Sequence, residues 1–201
     1  MKSIISFIGR AGSGKGYQCS LLQKDNYVKL SFADALRDIA YTSLAINDRT
    51  AEHYDNLKLK NCIEVIDSWG TSESDKLTNN PSTGHYLNFR EFLQLLGTEG
   101  IRKYDNNFWT MCLIKTIQDY NLDKVCIDDM RFANEFRLIK EFAEKNNYEF
   151  KCYFCDYHSF RYQNDDNHES AKLSNNLVKL NYKDLQLLTL DDIEKAESME
   201  K

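Results

Sequence analysis

The stretch Gly9-Arg10-Ala11-Gly12-Ser13-Gly14-Lys15-Gly16 has the residue types and spacing of a phosphate-binding loop. Glycines let the backbone curl until several N–H groups converge on one anion. A helix beginning at the end of such a loop adds the positive end of its dipole. Lys15 would reach the outer phosphates as a point charge. The usual pattern has Ser or Thr after the lysine to hold a magnesium ion, whereas this chain has Gly16 and then Tyr17. Two further groups could complete such a site. Val125-Cys126-Ile127 ends in Asp128-Asp129, with Arg131 two residues on. A carboxylate at the end of a neighbouring strand commonly faces the magnesium ion or its waters. Arg90, Gln94 and Thr98 stand at i, i+4 and i+8, so an α-helix would line them up on one face. That face is either a solvated stripe or a cation, an amide and a hydroxyl that hold a nucleotide's phosphate and base.

These residues need elements to position them. Residues 2–8 are a short, apolar, β-branched run and predict a buried strand, with a helix over 15–24. Tyr27 to Phe32 alternates as a second strand, and Leu36, Ile39, Ala40 and Leu44 give a helix from Ala33 to Ala45. A further helical pattern runs over 51–67, and residues 68–86 form a long polar loop that holds the only proline. Phe89, Phe92, Leu93 and Leu96 give a helix over 88–99, disturbed or ended by Gly97 and Gly100, and Phe108 to Tyr120 gives another. A strand over 125–127, a helix from Asn134 to about Asn146 and a strand from Tyr148 to Phe154 follow. Residues 156–170 are polar, Leu177 to Leu180 predicts a short strand, and the chain closes with a charged helix from Leu190 to Lys201. Strands alternating with helices at this pace imply an α/β fold with a parallel sheet.

Composition bounds the partners. In 201 residues, 42% hydrophobic and 28% charged side chains suit a globular protein that buries its core without disulfides. A net charge of -5 offers no broad basic surface for nucleic acid. Any anion site must be built locally. No stretch is long enough to span a membrane, and the apolar run after Lys2 is too short for a signal-peptide core. The six cysteines lie mostly in apolar runs, which suits a reducing compartment, so a cytoplasmic address is expected. Cys152 and Cys155 have zinc-ligand spacing, with His158 and His168 near, but both sit inside an apparent strand and read as strand cysteines.

The chain resembles the deoxynucleoside monophosphate kinases of tailed bacteriophages. The resemblance rests on the Gly9–Gly16 loop, Ser31-Phe32-Ala33-Asp34, Arg90-Glu91-Phe92-Leu93-Gln94-Leu95-Leu96-Gly97-Thr98-Glu99 with Arg102 and Phe108-Trp109, and Asp129-Met130-Arg131-Phe132-Ala133-Asn134-Glu135. His168-Glu169-Ser170 is a weaker match. A Gly-Lys-Gly ending is familiar in nucleoside monophosphate kinases, where water and phosphate oxygens largely hold the metal. The resemblance implies one three-layer phosphate-loop kinase domain over residues 1–201, with a parallel sheet, a monophosphate-binding helical insertion at about 45–120 and a lid at about 156–172. It implies transfer of the ATP γ-phosphate to a deoxynucleoside monophosphate, with magnesium, in the host cytoplasm. It places Gly9, Gly12, Ser13, Gly14, Lys15 and Gly16 at ATP. It places Ser31, Arg37, Arg90, Gln94, Thr98, Arg102 and Trp109 at the acceptor, Trp109 serving either as a base-stacking surface or as core. Lys15, Arg131, Arg161 and Asp129 become the catalytic set, with Asp129, and Asp128 beside it, orienting magnesium waters. The partners implied are ATP and the monophosphate, with no nucleic acid, no membrane and a homodimer as an option. Two rivals stand beside this reading: another small-metabolite kinase resembling dephospho-coenzyme A kinase, and a nucleotide-gated binding protein.

Overall fold

Lys2–Ile8 (β1) is apolar on both faces because it is the middle strand of a sheet covered on both sides. It pairs in parallel with Lys124–Met130 (β5) and Tyr148–Asp156 (β6), and Val28–Leu30 (β2) pairs in parallel with β5. Asp184–Leu188 (β7) runs antiparallel along β6, so the sheet order β2-β5-β1-β6-β7 is mixed rather than wholly parallel. The described residues of this computed structural model are 1–59, 63–65, 85–157 and 171–199. They form two compact units, one of residues 1–34 with 109–201 and one of residues 35–108.

Side-chain alternation sorts the layers of the first unit. Ile5 and Phe7 of β1, Cys126 of β5 and Tyr153 and Cys155 of β6 share one face and pack on Cys19 and Leu22 of helix Lys15–Gln23 (α1). Phe150 is on the opposite face of β6 and meets Phe136 of helix Ala133–Lys145 (α6), ring centroids 5.3 Å apart. Helices thus lie on both faces of a mostly parallel sheet, the layering the α/β pattern predicts. Helix Phe108–Asp119 (α5) buries Trp109, Leu113, Ile114 and Ile117, and so nearly all of it belongs to this unit.

Lys172–Lys179 (α7) is a helix where a strand over Leu177–Leu180 was predicted. Leu173 and Leu177 are buried at helical spacing, and Asn176 Nδ2 donates to the Ala196 carbonyl of helix Leu190–Ser198 (α8) at 3.1 Å. A short apolar run does not distinguish strand from helix. The strand of this region is β7, seven residues beyond Leu177 at its start.

The second unit has its own core. Tyr41 and Phe89 rings stack at 5.1 Å, and Phe92, Leu93, Ala40 and Ile63 close around them. Helix Ala33–Ser43 (α2) enters the unit from its N-terminal turn, and helix Ala51–Leu59 (α3) follows. Of the helical pattern predicted over 51–67, the described helix is Ala51–Leu59. Ile63–Val65 (β3) instead pairs antiparallel with His85–Leu87 (β4). The β-branched Ile63 and Val65 favour a strand once a partner is present, but that partner lies some twenty residues away. Most of the predicted polar loop 68–86 and of the polar segment 156–170 lies outside the described residues. Helix Phe89–Gln94 (α4) begins at a capping box: Asn88 Oδ1 accepts the Glu91 amide at 3.0 Å and Glu91 Oε2 accepts the Asn88 amide at 2.9 Å. Such a cap stabilises a helix by about 1 kcal/mol. The following turn, Leu95–Arg102, is a π-helix. The unit spans 35–108, against the insertion predicted at about 45–120.

Candidate functional site

The loop 9–14 joins β1 to α1 and rests on the end of β6. A Cβ on Gly9 would lie 2.1 Å from the Cys155 carbonyl oxygen, so only glycine allows β1 and β6 to come this close. Ser13 carries the next contacts: its carbonyl accepts the Tyr157 amide and the Cys155 thiol, both at 3.2 Å. Gly12 and Gly14 have φ of 72° and 99°, the left-handed region glycine favours, and Gly14 is the N-cap of α1. No side chain caps this helix and no acidic residue sits in its first turn. Its leading amides therefore have no side-chain acceptor and carry the positive end of the helix dipole, and Gly16 and Tyr17 are exposed residues.

Lys15 folds back over the loop. Its Nζ donates to the carbonyl oxygens of Gly9 and Arg10, each at 2.6 Å. Burial, and then the nearby Arg131 guanidinium, push its pKa down to about 8, against the opposing pull of Asp128 and Asp129. Arg131 is held at the start of α6, where its own amide and that of Phe132 donate to the buried Glu135 carboxylate at 2.8 and 3.1 Å. Arg131, Asp128 and Asp129 are thus all within electrostatic reach of Lys15.

The two aspartates diverge, as successive residues of a strand do, and the pairing beside them is bulged. Ser6 pairs with Ile127 and Ile8 with Met130, so two steps along β1 match three along β5. Cys126 and Asp128 keep the alternation and stay on the α1 face. Asp128 Oδ2 lies 3.6 Å from where a Cβ of Gly16 would stand and 2.5 Å from Lys29 Nζ of β2. Asp129 turns instead to the start of α2. Its carboxylate accepts the Ser31 hydroxyl at 2.5 Å and the Phe32 and Ala33 amides at 2.9 and 3.1 Å. Burial pushes the Asp129 carboxyl up, against the pull of those donors. The carboxylate beside the loop is therefore Asp128. Asp129, expected to orient magnesium waters, is committed to joining β5 to α2, and Ser31, expected at the acceptor, is its partner.

No family model matches the chain, and no curated protein matches it.

The remaining predicted residues separate by unit. Arg37, Arg90, Gln94, Thr98 and Arg102 all belong to the second unit. The π-turn alters their alignment: α4 carries Arg90 and Gln94, but beyond Leu95 the i→i+5 ladder turns Thr98 out of the line that α-helical spacing predicts. Within this unit Gly97 admits α2, because a Cβ there would lie 2.7 Å from Leu36 Cδ2. Arg102 Nη1 reaches the Asn106 carbonyl at 3.2 Å and Asn106 Oδ1 at 3.3 Å. Trp109 is 3% exposed in α5 and takes the core role rather than that of a stacking surface. Arg161 and His168 lie outside the described residues.

Cys152 and Cys155 point to opposite faces of β6, Cys152 to Met130 at 3.9 Å and Cys155 to Ser13. Among the described residues no group of three or more His, Cys, Asp or Glu is placed to hold a metal ion. A magnesium ion brought in with a nucleotide fits differently. The space left by Gly16 beside Asp128 suits a hydrated cation whose other ligands are water and phosphate oxygen. No helix among the described residues is long and apolar enough to cross a membrane. Sequence reasoning gave Asp128 a lesser part and missed Lys29. The alternation that puts Cys126 and Asp128 on one face was available, but the partners Asp129 finds at Ser31, Phe32 and Ala33 were not.

Proposed function

We propose that this protein is an ATP-dependent deoxynucleoside monophosphate kinase with a phosphate-loop core. The observation that carries the reading is the loop itself: left-handed Gly12 and Gly14, an uncapped helix N-terminus, and Lys15 with its ammonium clasped by two loop carbonyls. The choice of a monophosphate as acceptor rests on the resemblance in residues 90–109 and 129–135.

Phosphoryl transfer asks the protein for position and charge more than for covalent chemistry. The amides of 12–17 hold the donor's phosphates. Lys15 exchanges the Gly9 and Arg10 carbonyls for phosphate oxygens. Arg131, whose guanidinium already acts on Lys15, neutralises charge developing on the transferred group. Asp128 holds waters of the magnesium ion, which when bound neutralises and orients the phosphates. Arg90 and Arg102 grip the acceptor's phosphate, and Arg37 and Gln94 complete its pocket. No general base is needed, because the acceptor is already an anion.

The test is to mix the protein with ATP, magnesium and each deoxynucleoside monophosphate in turn. Diphosphate formed from selected monophosphates supports the reading. Transfer to another metabolite alone favours the small-metabolite kinase, and ADP release independent of any acceptor favours the nucleotide-gated binding protein.

A further inference from the structure

We propose that Lys29 is a positioning residue that competes with magnesium for Asp128: its ammonium holds the carboxylate in the metal-free protein and releases it when a metal–nucleotide complex enters. The inference rests on the nucleotide-binding reading above. Lys29 sits on β2 in register with Cys126, so its side chain lies on the α1 face of the sheet, where Asp128 also stands. Its Nζ approaches Asp128 Oδ2 to 2.5 Å. The same oxygen is the one 3.6 Å from the missing Cβ of Gly16. The space in which a loop hydroxyl would meet a metal is therefore empty of side chain and bordered by a carboxylate that already carries a cation.

Charge explains why a cation is needed there. Asp128 has only 17% of its side chain exposed, and the hydrogen bonds to Asp129 come from a hydroxyl and two amides. Two adjacent carboxylates repel. Lys29 offsets that repulsion, and the Asp128 hydrogen bond and charge raise its pKa even though burial works against it. Lys29 keeps 39% of its side chain exposed at the end of a flexible stem, so it can swing away at small cost. A hydrated divalent ion carries twice its charge and is held by phosphate oxygens as well. It therefore displaces the ammonium only when a nucleotide is present, which ties ordering of Asp128 to arrival of the complete metal–nucleotide substrate.

The experiment titrates magnesium into the 201-residue protein with a fixed low concentration of fluorescently labelled ADP and follows nucleotide binding, not turnover. Lys29→Met removes the competitor, so the magnesium concentration at half-maximal binding should fall about two- to fivefold. Asp128→Asn should abolish the magnesium-dependent gain, and adding Lys29→Met to it should then change nothing. Lys29→Gln, equally unable to pair as a cation, should reproduce the shift if the methionine variant folds poorly. A lowered thermal midpoint with an unmoved magnesium midpoint would show a purely structural ion pair and overturn the inference. So would an equal shift in the Asp128→Asn background. If the unsubstituted protein bound no ADP at any magnesium concentration, the nucleotide reading itself would fail, and this inference with it.

Discussion

The Gly9–Gly16 loop and the Asn88–Arg102 segment were both singled out by residue spacing, yet they obey different constraints. In the loop three of the four glycines answer to a backbone requirement: a carbonyl 2.1 Å from the absent Gly9 Cβ, and positive φ at Gly12 and Gly14. A wrong residue there meets backbone that has nowhere to go. In the Asn88–Arg102 segment the residues answer to helical register, and the register changes at Leu95 from α to π. Arg90 and Gln94 keep their relation while Thr98 loses it. A site fixed by backbone geometry can thus be read from residue types, whereas a site fixed by helix phase can be read only as far as the phase holds.

The comparison can be broken at four points. Lys15→Ala should have the largest effect, lowering turnover about 10²–10³-fold, the usual cost of removing a preorganised electrostatic group, with the thermal midpoint essentially unmoved. Steady-state kinetics beside a melting curve checks this, and near-normal turnover would remove Lys15 from the donor site. Next, Arg102→Ala should raise KM for the monophosphate roughly ten- to hundredfold, as expected for a lost charge-assisted contact, and leave KM for ATP alone. An equal rise in both would detach Arg102 from the acceptor.

The third effect is one of pH. Lys15 has its pKa pushed below the ordinary lysine value to about 8, and it is the protonated form that attracts phosphate. Affinity for ATP should therefore hold below pH 7 and fall as pH rises through 8, by up to about tenfold per unit, which titration calorimetry in matched buffers would measure. A flat profile from pH 7 to 9 would mean that Lys15 stays fully charged. The smallest effect is at Gly97. An alanine there presses on the movable end of Leu36 rather than on backbone, so Gly97→Ala should cost about 1 kcal/mol, a drop of about 2–4 °C in Tm, and Leu36→Val should recover part of it. A loss as large as that of a buried cavity would show that the π-turn itself had collapsed.

Legibility followed the same physics. Strand β1, the loop and helix α1 were visible because an apolar run, a glycine cluster and a helical pattern stand in sequence. The helix nature of α7 was hidden because Leu177 to Leu180 alone is too short to show a period. Strand β3 was hidden because its partner lies beyond residues 66–84, and only that pairing makes Ile63–Val65 extended. Asp128 and Asp129 are alike in residue type, and alternation sends them to opposite sides, but that one meets Gly16 and the other the amides that begin α2 is set by tertiary structure. Neither that nor the change of helix phase at Leu95 leaves a mark in composition.

Backbone amide NMR of the 201-residue chain tests the central claim most directly, because each region reports through its own resonances. Adding ATP with magnesium should shift the amides of Gly12, Ser13, Gly14, Lys15, Gly16 and Tyr17, and an accepted deoxynucleoside monophosphate alone should shift those of Arg90 to Arg102. ATP that leaves the 12–17 amides unmoved would contradict the account.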